Sequence, residues 1–242
     1  MQNPALRFRN LHKSYGGAAA LTGFTLDVAR GACFGIAGAN GAGKTTLIKC
    51  MLDFCDIDGG EIFIMGVPHR ETASRAPLAF LPERFNPPYF LSGRDFLKHM
   101  AALYRTPHDE AAALAMLEDL GLDAAALDKT ARDYSKGMTQ KLGLAACFLS
   151  GREILVLDEP ASGLDPRARV LVKRKLAALR AAGRTIFFTS HALADVEEMC
   201  DQVAVIHGGQ LKFSGTPAEL TASQGADDIE QAFMALTAEG QT

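Results

Sequence analysis

Gly38-Ala39-Asn40-Gly41-Ala42-Gly43-Lys44-Thr45 is the stretch that decides how this 242-residue chain folds. Glycine lacks Cβ, so a backbone rich in it can wrap closely around a polyanion. The apolar run Cys33 to Ala37 just ahead reads as a strand covered on both faces. The residues from about Lys44 to Phe54 read as a helix, with Leu47, Ile48, Met51 and Leu52 on its packing side. A strand, a glycine loop and a helix in that order turn the free N–H groups of the helix start toward a phosphate chain. A glycine-rich turn with no ligand is the bland alternative, and the ungapped match to the phosphate-loop pattern speaks against it. The expectation is a bound nucleoside triphosphate, held by Gly38, Asn40, Gly41, Ala42, Gly43, Lys44, Thr45 and Thr46. Lys44 supplies a point charge for the β- and γ-phosphates, and the Thr45 hydroxyl is placed for Mg²⁺.

A second constellation follows at Ile154-Leu155-Val156-Leu157-Asp158-Glu159, four apolar residues and then two carboxylates. It reads as a buried strand delivering acids to the sheet edge where the loop lies. Asp158 suits Mg²⁺, and Glu159 suits the orienting or deprotonation of a water that attacks the γ-phosphate. Taken alone, the acids read equally as a cap on the turn before Pro160; the loop upstream favours chemistry.

Around these motifs, strands alternate with helices, which implies an α/β fold with a mainly parallel sheet binding ligand at its strand ends. Leu6 to Leu11 and Phe24 to Val28 alternate as half-buried strands and form an antiparallel start. Glu61 to Met65 and Leu78 to Leu81 read as further strands. Helical patterns at Arg94 to Tyr104, Asp109 to Leu120 and Lys136 to Leu149 then interrupt the series. The organisation expected is one domain over 1–242, with a helical subdomain at about 84–150 inserted in its core. Beyond Ile154 to Leu157 come a helix (Arg167 to Ala182), a strand (Thr185 to Thr189), a helix (Leu193 to Met199), and strands Gln202 to Ile206 and Leu211 to Phe213. Gly208-Gly209 suits the hairpin between the last two. A short amphipathic helix is expected at Asp227 to Leu236, and a frayed end at Thr237 to Thr242.

Composition narrows the function classes. With 25 basic and 28 acidic residues the net charge is −3, which gives no reason to expect nucleic acid or an anionic membrane as partner. A basic group, Arg167, Arg169, Lys173, Arg174 and Lys175, reads as a solvated helix face. The five cysteines show no paired spacing and read as small buried residues in a reducing compartment. No apolar stretch approaches the roughly 20 residues a bilayer span needs, and Met1 to Asn10 lacks a secretion signal, so any membrane role is expected to run through a partner.

The set of motifs resembles the ATP-binding subunits of ABC transporters, P-loop NTPases with an antiparallel β subdomain and a helical insertion. Tyr134-Ser135-Lys136-Gly137-Met138-Thr139-Gln140 is similar to the family signature, especially in export-type systems with a separate permease. Ser162-Gly163-Leu164-Asp165 is similar to its D-loop and Thr189-Ser190-His191 to its switch histidine. Tyr15 falls where the family stacks an aromatic ring on adenine. The resemblance implies ATP and Mg²⁺ as cofactors, with Glu159, His191 and Lys44 in catalysis and Thr45, Asp158 and Glu83 at the metal. It further implies that Ser135 and Gly137 close over nucleotide held by a second ATPase subunit, and that a transmembrane permease is the other partner. The implied place is cytoplasmic, on the inner face of the membrane. Lys136 and Met138 depart from the usual signature, and Glu83 stands where the family has glutamine. Glu83 either alters Mg²⁺ dependence or contacts the permease side. The rival reading is a soluble ABC protein working on nucleic acid or the ribosome.

Overall fold

In the computed structural model, which describes residues 3–238, two sheets and a set of helices enclose two apolar cores. The strands are β1 (Leu6–Tyr15), β2 (Ala18–Val28), β3 (Cys33–Ala37), β4 (Gly59–Ile64), β5 (Val67–Pro68), β6 (Leu78–Leu81), β7 (Ile154–Asp158), β8 (Thr185–Ser190), β9 (Gln202–His207) and β10 (Gln210–Gly215). The helices are α1 (Lys44–Met51), α2 (Gly93–Tyr104), α3 (Glu110–Asp119), α4 (Lys136–Leu149), α5 (Pro166–Ala181), α6 (Leu193–Met199), α7 (Pro217–Gln224) and α8 (Ile229–Ala238).

The main sheet runs β10-β9-β3-β8-β7-β6. All its pairings are parallel except the β9–β10 hairpin, where Gly208 and Gly209 take φ of 55° and 75°. Such a pair supports the turn that matches strand twist. Every residue of β3, β7 and β8 is buried, as continuous apolar runs in a sheet covered on both sides should be. The pleat still sorts them. Phe34, Ile36, Ile154, Val156 and Phe187 face the core shared with α1 and the antiparallel sheet β2-β1-β4-β5. Cys33, Ala37, Leu155, Leu157, Ile186 and Phe188 face the core shared with the other helices. In the first core, Phe8 and Phe24 meet edge to face at 5.8 Å, and Phe34 stacks on Phe187 at 6.3 Å.

Helices α2, α3 and α4 fall between β6 and β7, yet these two strands are parallel neighbours, with Leu78 opposite Ile154. The chain therefore leaves the sheet edge and returns to it. Asp109 caps α3 by accepting from Ala111 and Ala112, and Ser135 caps α4 by accepting from Met138, which sets where each helix starts.

Several boundaries differ from the sequence expectation. The helix after the glycine loop stops at Met51, short of Phe54, because Asp53 turns to φ 61°. Gly59 and Gly60 begin β4, and β1 and β2 extend to Tyr15 and back to Ala18. Helix α7 had no counterpart in the sequence reading, although Thr216-Pro217-Ala218-Glu219 forms a complete capping box with Pro at the first turn. Thr237 belongs to α8, while the last four positions of the expected frayed end lie outside the described residues. Among the described residues, no helix is long and apolar enough to cross a membrane. Cys33, Cys50 and Cys147 are buried, whereas Cys55 and Cys200 are partly accessible. In the basic group on α5, Lys173 pairs with Asp195 and Glu198, Lys175 with Asp119, and Arg169 with the Leu164 carbonyl.

Candidate nucleotide site

Parallel strands place their carboxyl ends together, and here the ends of β3, β7 and β8 meet at one cleft of about 360 Å³. Its walls are Ala39, Asn40, Gly41, Gly43, Lys44, Thr45, Thr46, Glu83, Asp158, Glu159 and His191. Gly43 sits at φ 112°, and a Cβ there would meet the Ala20 carbonyl oxygen at 2.7 Å, so no other residue fits the turn into α1. The first N–H groups of α1 open on the cleft through Lys44, Thr45 and Thr46.

Lys44 is 7% exposed, and its Nζ donates to the carbonyls of Gly38 at 2.6 Å and Ala39 at 3.2 Å. Burial draws its ammonium below the usual lysine value, and the charges of Glu159, Asp158 and Glu83 work against that. Thr45 donates its hydroxyl to Asp158 Oδ2 at 3.2 Å, and Thr189 donates to Asp158 Oδ1 at 2.5 Å. Burial raises the Asp158 carboxyl above the usual aspartate range; Glu83 adds to the rise, and the two hydroxyls and Lys44 oppose it.

Glu159 takes φ 53°, the left-handed region that side chains other than glycine rarely adopt. Three bonds hold it there. Its N–H donates to Thr189 Oγ1 at 3.0 Å, and its carbonyl accepts from Ser162 N at 3.0 Å and from Gln140 Nε2 at 3.4 Å. The turn swings the Glu159 carboxylate out of the strand line, where Oε2 meets His191 Nδ1 at 2.8 Å.

Not every expected residue lines the cleft. Gly38 and Ala42 face inward: a Cβ on Gly38 would meet the Ile206 carbonyl at 2.6 Å, and Ala42 is buried with its carbonyl accepting from Gly209. Their part is to shape the loop. Tyr15 is 47% exposed and stands apart from the cleft walls, its hydroxyl donating to Cys55 Sγ at 3.4 Å. Ser135 and Gly137 are also outside the cleft; Ser135 is exposed, and Gly137 packs close to the Gly163 carbonyl. Thr189 and Gln140 were quoted only as motif letters at the sequence level, yet both are buried and bonded to the acidic turn. A threonine directly after the apolar Ile186-Phe187-Phe188 was the signal for the first, and no local pattern marked the second.

The donor set of hydroxyl and carboxylate oxygens at Thr45, Asp158 and Glu83 fits a hard divalent cation. Among the described residues no group of three or more His, Cys, Asp or Glu forms a protein metal cage.

A parallel sheet with a glycine loop, a lysine and two acids at its strand ends defines a P-loop nucleotide-binding protein. The profile of the ABC transporter family matches residues 21–162. An uncharacterized ABC transporter ATP-binding protein of Nostoc sp. is 39% identical over 217 residues, covering 87% of this chain and 64% of that protein. The Nod factor export ATP-binding protein I of Paraburkholderia xenovorans is 34% identical over 235 residues, covering 95% and 77%. A solved structure of the ATP-binding subunit of an ABC transporter superposes with a TM-score of 0.87 at 28% identity, covering 96% and 99%. The chain belongs to the ABC transporter family, among its ATP-binding proteins. It spans just under two thirds of the Nostoc relative's length.

Proposed function

We propose that this chain binds Mg²⁺-ATP between two copies of itself, hydrolyses it, and passes the closing motion to a separate membrane permease, in the direction of export. The observation that carries the reading is the split between two sets of residues. Lys44, Thr45, Asp158, Glu159 and His191 share one cleft, whereas Ser135 and Gly137 lie on the exposed start of α4 outside it. A hydroxyl and free N–H groups at a helix start suit an anion, and the anion they suit is nucleotide held by a second copy.

In this reading Lys44 and the N–H groups of α1 hold the phosphates, and Thr45, Asp158 and Glu83 hold Mg²⁺. The metal, when bound, offsets charge on the phosphate oxygens. Glu159 accepts the proton of the attacking water at its carboxylate, and His191 keeps that carboxylate aimed. Tyr15, exposed at the end of β1, offers its ring to the base.

The helical stretch 84–150 acts as the lever toward the permease. Tyr89 and Phe90 are 70% and 68% exposed and pack edge to face at 5.5 Å, an apolar tip suited to a protein contact. Export rests on likeness to the Nod factor export protein and to the export-type signature. The place of action is then the cytoplasmic face of the membrane.

Two measurements test the proposal. Specific ATPase activity should fall as the protein is diluted, since a complete site needs two chains; constant specific activity at high dilution contradicts it. Purified with the membrane protein encoded beside it, the chain should associate, and Tyr89→Ala with Phe90→Ala should release it. Association untouched by both changes removes the docking tip.

A further inference from the structure

Gln140 is an amide among the buried residues of α4, 5% exposed. Its Nε2 donates to the Pro160 carbonyl at 3.1 Å and, more weakly, to the Glu159 carbonyl at 3.4 Å. Both partners are acceptors, so only the NH₂ group of the side chain can face them. A buried amide without partners is costly, and these two carbonyls are what fixes its position. They belong to the left-handed residue Glu159 and the residue after it. The acidic turn is thus gripped on its N–H side by Thr189 and on its carbonyl side by Gln140.

The grip on the carbonyl side comes from the helix that begins at Ser135. Gln140 stands five residues beyond that cap, about 7.5 Å along the helix axis. Gly137, between them, packs near the Gly163 carbonyl, so the start of α4 also bears on the segment that follows Glu159.

We propose that Gln140 is a positioning residue for hydrolysis. It holds the Glu159–Pro160 backbone so that the Glu159 carboxylate is aimed, and it ties that aim to the seating of α4. A triphosphate from the second copy, met by Ser135 at the start of α4, then bears on the aim of Glu159 in the receiving copy. The inference rests on the ATPase reading above.

The test compares phosphate release, ATP binding and thermal stability for the wild type, Q140M and Q140E, with E159Q as the inactive reference. Q140M keeps the volume and loses the donor. Its kcat should fall on the order of 10²-fold, the size expected of a misaimed group, while KM and ATP affinity stay close to wild type. Q140E introduces a carboxyl that repels the two carbonyls when ionised and donates one O–H when neutral. Burial favours the neutral form. The ratio of kcat for Q140E to kcat for Q140M should therefore rise as pH falls from about 8 to about 6. Ionisations common to the two variants largely cancel in that ratio. A side chain that only fills space gives a flat ratio and a loss of activity that follows the loss of stability, and either result overturns the proposal. Wild-type kcat in Q140M overturns it as well, leaving the ATPase reading intact if E159Q is inactive. A wild-type chain without hydrolysis overturns both.

Discussion

His191 Nδ1 lies 2.8 Å from Glu159 Oε2, which joins the residue after β8 to the residue after β7. The glutamate side chain is 10% exposed and the histidine side chain 63%, so the ring forms the outer wall of the acid's position. Groups that act as one unit show strongly non-additive losses. Glu159→Gln should retain ATP and lose turnover by about 10²- to 10⁴-fold. His191→Ala should also retain ATP and lose turnover, and adding it to Glu159→Gln should cost little more. Phosphate release by the single and double variants measures this, and full multiplication of the two losses contradicts a joint role.

Thr189 carries two bonds at once, accepting from Glu159 N–H and donating to Asp158. Thr189→Val preserves the volume in a fully buried place and leaves the Glu159 N–H without a partner. The expected destabilisation is about 1–3 kcal/mol, read from urea unfolding midpoints. Thr189→Ser should restore most of it. Equal stability of the valine variant and the wild type would deny the hydroxyl this part.

Glu83 lines the cleft, and its charge reaches both Lys44 and Asp158. Removing it as Glu83→Gln should raise the Mg²⁺ concentration needed for half-maximal nucleotide turnover by about 2- to 5-fold, the range for a partly solvated charge. Metal-free ATP binding should tighten, because one negative charge has left the neighbourhood of the phosphates. Mg²⁺ titrations of the two proteins decide it. Identical curves place Glu83 outside the metal's environment and favour the contact with the permease side.

His69 supplies a pH dependence remote from the cleft. It is 4% exposed with Nε2 unpartnered, and burial lowers its affinity for a proton below that of an ordinary histidine. The unfolded chain therefore binds more protons at this position. Stability from this group is complete above the unfolded value near 6.5 and declines as pH falls below it. Unfolding midpoints measured between about pH 7.5 and 5 should drop for the wild type and drop less for His69→Gln. Parallel slopes for both proteins would mean that other groups carry the acid sensitivity.

Much of the main sheet was legible in the chain because its central strands β3, β7 and β8 are buried on both faces and centre on apolar runs. Cys33 to Ala37 and Lys136 to Leu149 matched to the residue. Local chemistry also placed the β9–β10 hairpin through Gly208-Gly209. Helix ends were less legible: the stop at Met51 depends on Asp53 adopting a left-handed turn that its residue type permits without requiring. In the cleft, the loop lysine, Thr45 and the acidic pair were readable from motifs, whereas the inward turn of Gly38 and Ala42 was not, since it depends on Ile206 in β9 and Gly209 in the turn after it, both far along the chain.

By itself the sequence determined that a strand, a glycine loop and a helix would present phosphate-binding groups, because those local requirements are met within the continuous stretch from Cys33 to Met51. Tertiary structure alone decided that Glu159 would stand at φ 53° between Thr189 and Gln140, with His191 on its carboxylate. The reason is distance along the chain. The partners of Glu159 come from α4, β8 and the turn after β8, and only the parallel ordering of β7 beside β8 brings them to the same strand ends.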